Sequence, residues 1–91
     1  MIVTGKTTTG FEFSIDGRLL QDFRFVKAYR EWQKNNFAQV DVLDCMLSPE
    51  DVDRLMKHVS DKDGFVDSLK IAAEMSEIFE ILEDKSKKAK N

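Results

Sequence analysis

The stretch VDVLDCMLSPEDVDRLMKHV, residues 40–59, reads as one helix, an abrupt restart and a second helix. Ser48 carries a hydroxyl suited to capping the restart. Pro49 then falls at the first helical position, where its missing N–H removes no intrahelical bond. Glu50 and Asp51 place negative charge at the positive end of the helix dipole. Behind them Val52, Leu55, Met56 and Val59 recur at i, i+3, i+4 and i+7, a single apolar stripe. Phe37, Val40, Leu43 and Leu47 follow nearly the same period upstream. The spacing therefore predicts helices over 37–47 and 49–60. Two such helices in the middle of a short chain need cover on both sides.

The flanking segments look built to supply it. Ile2–Thr4 and Phe11–Ile15 have strand character, with Phe11, Phe13 and Ile15 alternating against Glu12 and Ser14. Thr9 and Gly10 supply the turn, which predicts a β-hairpin over about 2–15. A lone hairpin is marginal in water, so its apolar face should lie on the helices. Asp16 is a candidate cap for a first helix over 17–34. On the other side Asp61-Lys62-Asp63-Gly64 reads as a turn, and Asp67 or Ser68 can cap a fourth helix over 68–84. In that helix Ile71, Met75, Ile78, Phe79 and Leu82 form the strongest amphipathic pattern of the chain. Glu74, Glu77, Glu80 and Glu83 flank it and are expected to be solvated, the other reading being a patch for a basic partner. The fold class expected is mainly α, a short N-terminal hairpin followed by four helices. A single domain spans 1–84, and residues 85–91 form a flexible lysine-rich tail.

Composition narrows the function classes. Ninety-one residues, 42% hydrophobic and 34% charged, suit one soluble domain with one small core. No apolar run approaches the roughly 18 residues of a membrane span. The opening MIVTGKTTTG lacks an apolar signal region, so no signal peptide and no membrane association are expected. One cysteine excludes an internal disulfide and fits a reducing cytoplasm; one cysteine with one histidine makes a zinc site improbable. Charge is unevenly spread: residues 1–34 carry +2, residues 35–84 carry −9 and residues 85–91 carry +4. An acidic body repels phosphate backbones, so no nucleic-acid partner is expected. The 49–60 helix could mimic part of a helix-turn-helix, yet it sets Glu50, Asp51 and Asp53 against Arg54 and Lys57, unlike a recognition helix.

Tests for chemistry return little. If Gly64 took the sixth position of a calcium loop, Val59 and Lys70 would occupy the places of two obligatory carboxylates, so the match fails. His58 follows Lys57 at a helix end, where positive charge suits the dipole. Cys45, beside Met46 and Leu47, reads as a small buried hydrophobe rather than a reactive thiol. The glycines form no phosphate-cradling loop. No catalytic, cofactor-binding or metal-binding residue is expected, and the chain does not read as an enzyme.

The first helix carries two apolar stripes, Leu19, Leu20, Phe23 and Val26 on one side and Phe25, Tyr29 and Trp32 on nearly the opposite one. Two readings are open. The helix sits centrally and buries both stripes, or Phe25, Tyr29 and Trp32, with Phe37 next in line, form a face for another protein or for self-association.

The ordered features resemble a known family. They are Gly10-Phe11-Glu12-Phe13-Ser14-Ile15-Asp16, a helix with an early acid at Asp22, an apolar helix ending near Leu47, and Ser48-Pro49-Glu50. Leu55, His58-Val59, Asp61-x-Asp63-Gly64-x-Val66 and a closing Ser76-Glu77-Ile78 helix with a lysine-rich end complete the set. Together they are similar to the small tail assembly chaperones of long, non-contractile-tailed phages and prophages of Gram-positive bacteria. The resemblance covers about residues 8–90. It implies a non-catalytic helical protein of the bacterial host's cytoplasm, absent from the mature virion. Such a protein binds the tape measure protein, keeps that long helical polymer soluble and helps tail tube protein subunits assemble around it. It also implies a longer frameshifted form, for which Lys87-Lys88 suits an A-rich slippery stretch. One feature departs from the family pattern: Arg18, Arg24, Lys27 and Arg30 make the first helix basic rather than acidic. The alternative is a small helical regulatory or adaptor protein linked to nucleic acid.

Overall fold

A computed structural model of the chain describes residues 1–89; Lys90 and Asn91, the end of the expected tail, lie outside the described residues. Strands β1 (Ile2–Lys6) and β2 (Glu12–Asp16) pair antiparallel, with Val3 opposite Ile15 and Gly5 opposite Phe13. Gly10 turns the loop between them at φ +98°, a conformation glycine adopts without cost. Alternation places Phe11, Phe13 and Ile15 inward, each less than 5% exposed. Gly5 is there for space. A Cβ on it would meet the Phe13 ring at 2.7 Å and Ile81 at 3.1 Å.

Four helices follow: α1 (Phe23–Lys34), α2 (Gln39–Met46), α3 (Pro49–Val59) and α4 (Ser68–Ala89). The hairpin and the four helices thus stand where the sequence predicts them, with three differences in detail. Helix α1 starts at residue 23, not 17. The Asp16 carboxylate accepts from the Arg18 N–H and closes a turn, Leu19–Gln21 form a short 3₁₀ turn, and Asp22 caps α1 by accepting from the Arg24 N–H. Helix α2 is preceded by a 3₁₀ turn at Asn36–Ala38 and buries Val42, Leu43 and Met46; Phe37 and Val40 point outward. Helix α4 continues to Ala89 rather than ending at Asp84.

Helix α3 follows its sequence signals closely. The Ser48 hydroxyl accepts from the Asp51 N–H with Pro49 in the first turn, and Leu55 is fully buried. Met56 on the same stripe is 40% exposed, so the stripe is narrower than its spacing suggests. The turn after it is closed by the Asp61 carboxylate, which accepts from the Asp63 and Phe65 N–H groups. Asp67 then caps α4 through the Leu69 N–H.

The core lies where the hairpin face, α2 and α3 converge on α4. Val42, Leu55, Met75, Ile78 and Leu82 have no exposure there, and Phe11 has 2%. Burying each large apolar side chain contributes roughly 1.5–3 kcal/mol. No helix among the described residues is long and apolar enough to cross a membrane.

Candidate functional site

Helix α4 has two flanks, and they are built differently. On the hairpin flank, α4 holds the β1–β2 loop by its threonines. Glu74, 3% exposed, accepts from the Thr7 and Thr9 hydroxyls at 2.8 Å each. One turn on, Glu77 accepts from the Thr8 N–H at 2.9 Å and the Thr8 hydroxyl at 3.1 Å. The Lys85 ammonium donates to the Thr4 carbonyl further along. Glu74 and Glu77 are therefore not part of a solvated row. A spacing of three advances about 60° per step around a helix, so Glu74 and Glu83 end up on opposite sides.

His58 joins this network. Its Nε2 lies 3.0 Å from the Thr9 hydroxyl, and its ring packs 5.5 Å from that of Phe11. The single proton of the Thr9 hydroxyl is committed to Glu74, so Nε2 carries the hydrogen and donates. This order is wrong for activating a threonine nucleophile, because His58 offers no lone pair to the hydroxyl. Every buried side-chain nitrogen and oxygen among the described residues has a partner. The arrangement is a latch.

The other flank of α4 faces α1. Helix α1 packs closely on α2 and much less on α4. What spans the gap is a set of rings: Phe25 lies 5.4 Å and Tyr29 5.8 Å from Phe79, and Tyr29 lies 6.0 Å from Trp32. Offset and edge-on pairs of this kind contribute about 0.5–1.5 kcal/mol beyond burial. Two hollows follow one another along the seam. One, of about 410 Å³, is walled by Trp32, Phe37, Val40, Leu69 and Ala72. The other, of about 310 Å³, is walled by Leu20, Phe25, Val26, Tyr29 and Phe79, with Glu83 at its edge.

The four sequence-selected residues line this seam but differ in access. Phe25 is buried at 5% and is a wall of the inner hollow; Trp32 is half-buried; Tyr29 is 39% exposed; Phe37 is 88% exposed. The aromatic stripe is thus neither wholly sealed nor wholly outward. Of the opposite stripe, Leu19 is buried while Phe23 and Val26 are exposed. Sequence reasoning missed Leu69 and Val40, both largely exposed at the outer hollow. Leu69 precedes the repeat that defined the fourth helix, and only the phase of Leu69, Ala72 and Phe79 on one side of α4 could have drawn it in.

Elsewhere the surface offers little chemistry. Cys45 is exposed rather than buried, and partial desolvation pushes its thiol pKa up, away from the reactive thiolate. No group of three or more metal-ligating side chains occurs among the described residues. Arg24 beside Asp22, and Arg18 beside Asp16, hold both carboxyls below the usual range through charge-assisted hydrogen bonds. No family model matches the chain, and neither curated proteins nor solved structures give a match.

Proposed function

We propose that this chain is a phage tail assembly chaperone, a stoichiometric, non-catalytic binder that shields helical segments of the tape measure protein in the host cytoplasm while tail tube subunits assemble. The observation that carries this reading is the seam between α1 and α4. Rings span it, and Tyr29, Phe37, Val40 and Leu69 remain accessible along it. An open, two-walled apolar furrow suits an amphipathic helix, which lays i, i+3, i+4 and i+7 side chains into such a groove. The hairpin, the capped α3 and the closing helix, which support the likeness to that family in sequence, hold the two walls of the furrow in place. Exposed apolar residues grouped on one face mark interaction surfaces more often than scattered ones do.

The test is co-expression with a tape measure fragment. Tyr29→Ser with Trp32→Ser should leave cooperative unfolding intact and abolish co-purification. Because Trp32 is half-buried, Phe37→Ser with Leu69→Ser provides an independent pair at exposed positions. Retained co-purification by both pairs defeats the reading, as does collapse of the melting transition in the first pair with no effect of the second.

A further inference from the structure

We draw no further inference here: the strongest candidate, the open apolar seam between α1 and α4 along which Tyr29, Phe37, Val40 and Leu69 stay accessible, belongs to the site already described, and nothing in the structure shows what covers it.

Discussion

On its hairpin flank, α4 buries a carboxylate and satisfies it with two threonine hydroxyls; on its α1 flank, it leaves apolar side chains in hollows bridged by rings. The same helix thus closes one side with directional bonds and keeps the other open with non-directional contact. Hydrogen bonds to a buried charge accept one geometry, and a missing partner there costs the full desolvation of the group. Ring contacts tolerate repacking. The closed flank fixes the fold, and the open flank leaves Tyr29, Phe37, Val40 and Leu69 accessible.

The largest effect should come from breaking the closed flank. Glu74→Ala leaves the Thr7 and Thr9 hydroxyls without their acceptor inside the protein, and about 3 kcal/mol of stability should be lost in urea unfolding. If the loss stays below about 1 kcal/mol, the hairpin flank is not held by directional bonds to a buried carboxylate. The exposed side is the control: Phe37→Ser with Leu69→Ser, at 88% and 77% exposure, should change stability by no more than about 0.5 kcal/mol.

Acid should separate the flanks more gently. Asp22, which starts α1, has its carboxyl pKa lowered from 3.8 chiefly by the hydrogen bond from Arg24. A depressed folded-state value means the cap contributes fully above 3.8 and is lost as pH falls through the lower folded value. Fluorescence of Trp32 on α1 should therefore shift on acidification below that point; an unchanged signal there would show that α1 does not depend on its cap.

Where the sequence succeeded and failed follows from the same physics. Ser48-Pro49, the Asp61 turn and the alternation of Phe11, Phe13 and Ile15 are local signals, satisfied by atoms a few residues away, and each was legible. The start of α1 was not, because the chain holds two like signatures six residues apart. Asp16-x-Arg18 and Asp22-x-Arg24 both accept from the N–H two residues on and both pair with their arginine. Nothing local says which begins the helix. The choice is made by packing, since Leu19 goes into the core from the turn between them. Glu74 was illegible for another reason. Its partners Thr7 and Thr9 lie more than sixty residues away, and a row of glutamates spaced by three looks solvated until the drift of the helix is followed around its axis.

That long reach has a consequence for how the protein is made. The hairpin is synthesised before the four helices, yet the carboxylates that fasten its loop belong to the fourth of them. Until Glu74 and Glu77 have been translated, the loop threonines have no carboxylate acceptor, and two strands alone are barely stable in water. The loop between the strands therefore stays unfastened until α4 has followed, and this clasp shuts only after the four helices are made.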